Sequence, residues 1–483
     1  MPIETATVYA LDCAPTLTPK LAPWIKKFIA QPSAARKLIE SYGSPLHVVV
    51  QSEFKRNVRD LLSPLKERGL SGGLFFARKA NKLPWFPLAA QEMGIGVDTA
   101  SITEVRDTLR LGVSPERLIV TAIGKDKQLV TEAVLAGCLL VMDNIDELRV
   151  TIEVARSLGR TARIGLRFCG FSVGDRTVFS RFGFPLSDFA AVLEEIADKS
   201  QFVKLEILHA HLDRYDTNER AAAARQLISF SDRCAERGHP VRGIDLGGGI
   251  LMRYVESAQQ WQQFQDRLIA SVGGKQPAFT YQGDGLGYFK VGEEVHGKAD
   301  LYPVFNEISK ERFIAAVLDN ESGATPLHKE LSRRGLELYF EPGRALLDNA
   351  GITLSCVMFH KRNTAGDLLI GLAMNRTNLR PFRAEFCSDP LLLSESNNAG
   401  EPGGAYLVGN LCSESDLIFR RKLHFAKLPK PGDILCFANS AGYLAHHMEM
   451  GTHGNPVPAN VLIDEETFAV RDTFGVIDAK GLV

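Results

Sequence analysis

The feature that most constrains the fold is a regular alternation in the middle of the chain. Short apolar runs, rich in β-branched and aromatic residues, are separated by stretches whose apolar residues recur at helical spacing. The predicted strands are 74–79, 96–101, 118–123, 139–144, 162–168, 204–212, 243–249 and 336–344. The predicted helices between them include 102–111, 127–136, 145–158, 187–196 and 219–237. Strands separated by helices pair in parallel, and eight of them close a barrel, so we predict a (β/α)8 TIM barrel.

An open, doubly wound parallel sheet is the structural alternative. Such a sheet is expected to carry a glycine-rich turn after its first strand. The first predicted strand instead runs into "FFARKAN" (75–81), which contains no glycine. The barrel is therefore the preferred prediction.

The sequence pattern changes at about residue 345. Short strand-like runs such as "GITLSCVMFH", "DLLIGLAM" and "ANVLID" are separated by Gly, Pro and Asn turns, which is typical of an antiparallel β-sandwich or β-barrel domain. The earlier run "PLHVVVQ" (45–51) is predicted to add a strand to this domain. The predicted layout is an N-terminal segment (1–45) that contributes to the β domain, a barrel (46–345) and the C-terminal β domain itself (346–483).

One block fits neither pattern. Ninety-one residues (250–340) separate Gly249 from Glu341, far more than an ordinary βα connection contains. We predict an insertion on the barrel at about 250–335, serving as a lid or a dimerisation element.

Composition narrows the class of protein. The chain has 483 residues, 45% of them apolar and 23% charged, with a net charge of −1. This balance gives no long-range attraction to nucleic acid or to an anionic membrane. The eight cysteines form no CxxC pair, and neither a signal peptide nor a membrane-spanning run is recognisable. We therefore expect a cytoplasmic protein with reduced thiols.

Polar residues gather at the predicted ends of the strands, where TIM-barrel enzymes place their catalytic groups. They are Lys79, Asp98, Arg167, His209, His211, Gly247, Gly248, Gly249, Glu341 and Arg344. A lysine beside an apolar core is a nucleophilic amine that can form a Schiff base, and a glycine triplet lets backbone N–H groups approach a phosphate. A histidine can stack on a flat ring, and a carboxylate can keep a pyridine nitrogen protonated. Together these groups predict a pyridoxal 5′-phosphate (PLP) site.

Nine short motifs occur in an order that resembles a known family. They are "FARKAN", "GVDTAS", "LRF", "SRFGF", "HAHLD", "DLGGG", "EPGR", "GNLCSESD" and "SAGY". The chain resembles the fold-type III PLP decarboxylases, the relatives of diaminopimelate, ornithine and arginine decarboxylases, over roughly residues 45–465. "AMNRTNLRPF" (373–382) and "PVPANVLI" (456–463) look closest to the diaminopimelate decarboxylase branch. The resemblance implies an alanine-racemase-like TIM barrel with an antiparallel β domain.

The resemblance also implies roles for single positions. Lys79 matches the Schiff-base lysine, Glu341 the acid at the pyridine nitrogen, and His211 the histidine that stacks on the ring. Cys412 matches a cysteine that the partner subunit lends to the active site, which implies a homodimer with shared sites. The implied cofactor-binding residues are Lys79, Asp98, Arg167, His211, Gly247, Gly248, Gly249, Glu341, Gly343, Arg344 and Tyr443. The implied substrate-binding residues are Arg344, Arg380, Cys412, Ser413, Glu414 and Tyr443.

Several positions depart from the family pattern. Asp213 and Arg214 stand where the family has a glycine and a phosphate-contacting serine, and we predict either that Arg214 pairs with the phosphate or that this loop follows a different path. Ser413 replaces an acid that reads the far end of the substrate, with Glu414 beside it. The cofactor chemistry is thus expected to be intact and substrate recognition rewritten.

The predicted function is PLP-dependent decarboxylation of an amino acid with a second polar or anionic group, diaminopimelate-like or belonging to specialised metabolism. An amino-acid racemase of the same fold and a non-catalytic PLP-binding homologue are the alternatives. The run "HHMEMGTH" (446–453) invites a metal site, but its spacing is not that of HExxH. We predict no metal site and interpret this run as a substrate-facing loop at a dimer interface.

Overall fold

The computed structural model describes residues 12–323, 325–380, 388–394 and 400–475. The chain divides into two compact units. One, the sheet unit, contains the residues up to Glu53, Met252–Glu307 and the residues from Leu347 onward; the other, the barrel unit, contains Phe54–Leu251 and Ile308–Leu346. Neither unit is continuous in sequence, whereas the predicted layout consisted of three consecutive segments.

The helices and strands of the described residues are numbered along the chain. The α-helices are α1 (Pro23–Ile29), α2 (Pro32–Tyr42), α3 (Gln51–Glu67), α4 (Trp85–Glu92), α5 (Ile102–Arg110), α6 (Lys127–Ala136), α7 (Ile145–Leu158), α8 (Phe189–Ile196), α9 (Thr217–Glu236), α10 (Ala258–Val272), α11 (Glu311–Leu318) and α12 (Leu327–Arg334). The strands are β1 (Leu46–Val49), β2 (Gly72–Ala77), β3 (Gly96–Thr99), β4 (Leu118–Val120), β5 (Leu139–Met142), β6 (Ala162–Cys169), β7 (Ser172–Val173), β8 (Arg176–Thr177), β9 (Phe184–Pro185), β10 (Val203–Ala210), β11 (Gly243–Asp245), β12 (Tyr288–Val291), β13 (Glu294–Gly297), β14 (Glu337–Phe340), β15 (Gly351–Arg362), β16 (Leu368–Leu372), β17 (Leu391–Leu393), β18 (Gly403–Val408), β19 (Leu423–Phe425), β20 (Ile434–Phe437), β21 (Ala459–Ile463) and β22 (Val470–Phe474).

The barrel unit contains a closed parallel sheet of eight strands. Its order is β2-β3-β4-β5-β6-β10-β11-β14, and β14 pairs with β2 to complete the ring. Inward-facing apolar side chains fill its centre, among them Phe75, Ile119, Val141 and Ile207. Gly96 faces Phe75 in the register, and a Cβ there would meet the Phe75 ring at 2.3 Å. The predicted TIM barrel is confirmed.

The helices of the barrel begin and end where local chemistry dictates. The side chain of Asp126 caps the N-terminus of α6, and that of Asn144 caps α7, by accepting hydrogen bonds from backbone N–H groups. Both helices end at glycines in the left-handed conformation, Gly137 and Gly159, which a residue with a Cβ adopts only with strain. These signals explain why the predicted bounds of α6 and α7 agree with the structure.

The predicted insertion consists of two parts. Residues 252–307, which include α10 and the hairpin β12–β13, belong to the sheet unit. Residues 308–346 belong to the barrel unit, where α11 and α12 pack beside α9. The two helices are thus an ordinary part of the helical layer that connects β11 to β14.

The sheet unit is built on a nine-stranded sheet with the central order β19-β18-β16-β15-β1-β21-β22. Strand β1 joins this sheet, as predicted for 45–51, between β15 and β21. The pairing is mostly antiparallel, which confirms the predicted fold class of this domain, and the described strands also form the parallel pairs β1–β21 and β16–β18. These parallel pairs join strands that are distant in sequence, and no hairpin pattern signals them. Among the described residues, no helix is long and apolar enough to cross a membrane.

Candidate active site

Lys79 follows the C-terminal end of the first barrel strand. Strand β2 ends at Ala77, and a single 3-10 turn, Arg78–Ala80, comes next. Both neighbours of Lys79 are buried: Arg78 donates a hydrogen bond from Nη1 to Thr108 Oγ1 at 2.7 Å, and Ala80 packs inside. Lys79 itself is exposed. The turn therefore anchors its flanks in the barrel and presents the lysine at the barrel mouth.

A buried histidine–carboxylate pair stands at the ends of two other strands. His209 Nε2 lies 3.1 Å from Glu341 Oε1, and both side chains are almost fully buried. Burial alone would raise the pKa of Glu341, but His209 and the charge of Lys79 outweigh it and lower that pKa. Burial lowers the pKa of His209. An ionised carboxylate only accepts hydrogen bonds, so the neutral imidazole carries its proton on Nε2.

Two further carboxyl groups, Asp98 and Asp245, have raised rather than lowered pKa values. Asp98, on β3, accepts a hydrogen bond from Thr121 Oγ1 at 2.6 Å. Burial and the charge of Glu341 raise its pKa to about 7. Asp245, at the end of β11, accepts from the Gly247 N–H at 2.8 Å, and the same two causes raise its pKa well above the ordinary value. Of these three carboxyl groups only Glu341 has a lowered pKa, so it carries its negative charge over the widest pH range.

His211 and the glycine triplet form one wall of the site. The Gly248 N–H donates to His211 Nδ1 at 3.3 Å, so that nitrogen carries no proton. Burial and the charge of Lys79 lower the pKa of His211 well below its ordinary value. Gly247 and Gly249 have left-handed φ angles of 64° and 76°. A Cβ at Gly247 would lie 2.5 Å from His211 Nδ1, which leaves room only for glycine.

A buried arginine supports this glycine loop from behind. Arg220, on α9, is 1% exposed and donates hydrogen bonds to the carbonyl oxygens of Leu246 at 2.9 Å, and of Leu212 and Gly249 at 3.2 Å each. The sequence analysis did not single out Arg220, because nothing in the helical run "NERAAAARQ" distinguishes a buried cation from an exposed one. Asp245 was also missed, although it stands in the quoted motif "DLGGG".

Arg167 lies on β6, inside the same barrel. Its Nη1 atom lies 3.5 Å from Asp143 Oδ1, and its guanidinium group lies 4.8 Å from the centre of the Phe182 ring. Burial lowers its pKa, although the charges of Asp143 and Glu341 oppose that shift. Arg167 thus stands on a barrel strand and is influenced by the charge of Glu341.

The substituted position Arg214 pairs with protein. Its Nη1 atom lies 3.3 Å from Oε1 of the buried Glu219, which also binds Arg176, and the Arg214 side chain is 61% exposed. Arg214 thus forms an ion pair with the first turn of α9. Gly343 and the half-buried Arg344 follow β14 in the turn after Glu341.

The remaining predicted residues lie in the sheet unit. Cys412, Ser413 and Glu414 form an exposed loop that lines a cleft of about 450 Å³ together with Tyr281 and Lys361. Buried Asp416, which was not predicted, shapes this loop by accepting hydrogen bonds from the N–H groups of Leu411 and Arg376, each at 2.8 Å.

Tyr443 and Arg380 complete the predicted set in this unit. Tyr443 has a left-handed φ of 62°, and its ring lies 5.5 Å from that of His447. Arg380 directly follows the 3-10 turn Arg376–Leu379. Positions 381–387, which contain the end of the motif "AMNRTNLRPF", lie outside the described residues.

The barrel residues fit the predicted cofactor. The glycine loop leaves a cradle that side chains would fill, and buried oxygens of Asp98 and Asp245 have no hydrogen-bond partner among the described residues. An ionised carboxylate, a lysine at the barrel mouth and a neutral histidine surround that cradle. This donor set matches a phosphorylated, protonated pyridine aldehyde.

Comparisons with known proteins agree with this geometry. The family model described as "Pyridoxal-dependent decarboxylase, pyridoxal binding domain" matches residues 52–280. An uncharacterised protein, y4yA of Sinorhizobium fredii, is 29% identical over 90% of this chain and 92% of its own. Diaminopimelate decarboxylase of Zymomonas mobilis is 23% identical over 88% and 89%. The solved structure of diaminopimelate decarboxylase from M. jannaschii with L-lysine has a TM-score of 0.67, 20% identity and 89% coverage of both chains.

Fold and site together define a PLP-dependent enzyme of the carboxy-lyase class. The matched domain and the relatives support the predicted resemblance of this chain to the fold-type III pyridoxal-dependent decarboxylases. The predictions of family, fold class, enzyme class and PLP as cofactor are confirmed. The roles of individual residues stay predictions.

Proposed function

We propose that this protein decarboxylates an amino acid that carries a second polar or anionic group, with Lys79 as the residue that holds PLP. The observation that carries the proposal is the Glu341–His209 pair at 3.1 Å. The contact with His209 lowers the pKa of Glu341, whereas burial and the charge of Glu341 raise the pKa values of Asp98 and Asp245. The acid at position 341 matches the decarboxylases that the chain resembles and speaks against a racemase, and the presence of both Lys79 and Cys412 speaks against a non-catalytic carrier.

When bound, PLP supplies an electron sink for the bonding pair that remains when the substrate carboxylate departs as CO2. The Glu341 carboxylate would accept a hydrogen bond from the protonated ring nitrogen and so keep the proton on that nitrogen. His211 would pack on the ring face, and the backbone N–H groups of the glycine loop would bind the phosphate. Lys79 would anchor the cofactor through its amine and exchange places with the substrate amine.

The identity of the substrate rests on fewer observations. The relatives include diaminopimelate decarboxylases, one of which is solved with L-lysine, so an amino acid with a polar far end is the natural candidate class. Arg344 and Arg380 supply cations for a second anionic group. Ser413 stands where the family has an acid, which lowers the expected preference for a cationic far end. We therefore place a substrate with a second carboxylate or another polar group ahead of ornithine-like diamines.

We also propose a homodimer in which Cys412 acts in the site of the other subunit. Cys412 is exposed on a loop of the sheet unit, held in shape by Asp416. An exposed thiol on a shaped loop suits donation to a second copy of the chain. In the proposed reaction, it returns a proton to Cα after CO2 leaves.

Visible absorbance and CO2 release test the proposal. Wild-type protein with added PLP is expected to absorb visible light and to release CO2 from at least one member of a panel of L- and D-amino acids with polar far ends. Lys79→Ala is expected to lose the absorbance and to lower CO2 release more than about 100-fold. Lys82→Ala removes a neighbouring exposed lysine and is the matched control. Wild-type protein that stays colourless with PLP, or a Lys79→Ala variant that retains both signals, would refute the role of Lys79.

A further inference from the structure

A second cluster of ligand-type side chains lies in the sheet unit. One ligand atom each from His47, His446 and Glu449 lie within 4.8 Å of one another. His47 is on β1, whereas the other two belong to the loop between β20 and β21. The side chains of His47 and Glu449 are 2% and 3% exposed. The sequence analysis predicted no metal site in the run 446–453 and interpreted it as a substrate-facing loop, so a metal site here replaces that interpretation.

The base of the cluster is a polar row across an otherwise apolar sheet. In the register, His47 stands opposite Thr353 on β15 and opposite Asn460 on β21. Residues opposite one another point to the same face, so these three polar side chains share one side of the sheet. Their neighbours Leu46 and Val48 face a hydrophobic core on the other side. Burying polar side chains in this way costs free energy unless each group forms a hydrogen bond or binds a ligand.

Hydrogen bonds orient the His446 ring. His446 Nε2 lies 2.8 Å from Asn460 Oδ1. The Asn460 amide nitrogen donates to the carbonyl oxygens of Pro458 at 3.1 Å and Phe474 at 3.4 Å, which fixes the direction of the amide. Because the amide oxygen only accepts, His446 carries its proton on Nε2. Its Nδ1 atom is therefore the nitrogen with a lone pair for a ligand.

A hydroxyl chain orients the His47 ring in the same manner. His47 Nδ1 lies 2.9 Å from Thr353 Oγ1, which lies 2.8 Å from Ser440 Oγ. This arrangement leaves His47 Nε2 facing Glu449, with 3.9 Å between Nε2 and Oε1. Such supporting hydrogen bonds on the remote nitrogen are the usual environment of a metal-binding histidine.

The separations suit one small ion after a slight closure. Zn–N and Zn–O bonds of roughly 2.0–2.2 Å in a tetrahedron place ligand atoms about 3.4 Å apart. The 3.9 Å between His47 Nε2 and Glu449 Oε1 is longer than a hydrogen bond and close to that value. The three ligand atoms all lie within 4.8 Å of one another, so binding of one ion requires an approach of up to about 1.4 Å between some of them. Two imidazoles and one carboxylate favour Zn²⁺ or a similar transition metal over Mg²⁺ or Ca²⁺.

We propose that His47, His446 and Glu449 form a binding site for a Zn²⁺-like divalent ion that fastens the loop carrying His446 and Glu449 to the sheet. Met450, next to Glu449, is 55% exposed, so the loop reaches the surface and an ion has a short path of entry. Among the described residues, His209, Asp245 and Glu341 form another such group, which belongs to the proposed cofactor site and is not proposed to bind a metal.

Metal titration of the PLP-loaded protein tests the site. Protein treated with a chelator and dialysed is titrated with Zn²⁺ against a chromophoric chelator, and with Co²⁺ while its ligand-field absorption is recorded. The Cys412→Ala background removes an exposed competing thiol. We expect one tight equivalent of Zn²⁺ and Co²⁺ bands typical of a low-coordinate N/O site.

Variants assign the equivalent to the three residues. His446→Ala and the nearly isosteric Glu449→Gln are expected to weaken binding more than about tenfold. His453→Ala, which removes an exposed histidine of the same loop, is expected to leave binding unchanged. The proposal is wrong if the unsubstituted site binds no ion at micromolar concentration, or if the bound ion is insensitive to both substitutions. The wild-type titration gives this answer even where a variant fails to fold.

Discussion

At the scale of single residues, the site depends on which buried carboxyl groups hold a proton. Glu341 is kept ionised by His209 and Lys79, whereas Asp98 has a pKa of about 7 because it is buried near the charge of Glu341. Three anions in one barrel would repel one another and weaken the fold. The raised pKa of Asp98 lets this group bind a proton below about pH 7, where Glu341 keeps the negative charge.

This difference predicts a pH-dependent stability. A carboxyl group with a raised pKa binds its proton in the folded state after the unfolded chain has released it, so its contribution to stability falls as pH rises from about 4 to about 7. Asp98→Asn removes this dependence and keeps an oxygen that accepts from Thr121. Relative to wild type, the free energy of unfolding of the Asp98→Asn apoprotein is expected to increase by roughly 1–4 kcal/mol across that window.

Urea unfolding at a series of pH values measures the effect. Asp198→Asn, which replaces an exposed carboxylate after α8, is the control and is expected to follow the wild-type curve. Parallel curves for wild type and Asp98→Asn between pH 4 and 7 would show that Asp98 does not hold a proton in the folded state.

At the scale of elements, strand ends and helix caps were predictable, but long-range support was not. Lys79 and Glu341 stand at the ends of periodic runs, so the barrel brings them together whatever the details of the loops. The capping residues of α6 and α7 act on backbone groups only a few residues away, so the sequence predicts these helix ends as well. Arg220 supports loops from strands far away in sequence, and the composition of its helix carries no sign of that contact.

The support by Arg220 yields a prediction for the glycine loop. Arg220→Met keeps much of the volume but leaves the carbonyl oxygens of Leu246, Leu212 and Gly249 without their donor. We expect a loss of about 2–4 kcal/mol in the free energy of unfolding and weaker binding of PLP, because the loop that would bind the phosphate loses its support.

Urea unfolding and the dependence of visible absorbance on PLP concentration measure both effects. Arg233→Met is the control, since Arg233 lies on the same helix but is exposed and packs on the Phe189 ring. If Arg220→Met matches the control in both measurements, the guanidinium is not a support of the loop.

At the scale of the whole molecule, the proposed machinery is divided between two compact units. Lys79, His211 and Glu341 belong to the barrel unit, and Cys412 belongs to the sheet unit. The proposed shared site assigns Lys79 to one subunit and Cys412 to the other. If Lys79 and Cys412 of one site come from different subunits, two inactive variants will restore activity when their subunits mix.

Lys79→Ala and Cys412→Ala homodimers are each expected to be nearly inactive. After equal amounts are unfolded or dissociated and reassembled together, half of the dimers are mixed, and each mixed dimer has one site with both native residues. The expected CO2 release is therefore about a quarter of the wild-type value for random pairing.

Mixing Lys79→Ala with Glu341→Gln is the control, because both residues lie in the same unit of one chain and every mixed dimer lacks a complete site. Activity that stays at the level of the separate variants in both mixtures would place Cys412 outside the partner's site. A quarter of the activity in the first mixture alone would assign the thiol to the neighbouring subunit and make the dimer a requirement of the chemistry.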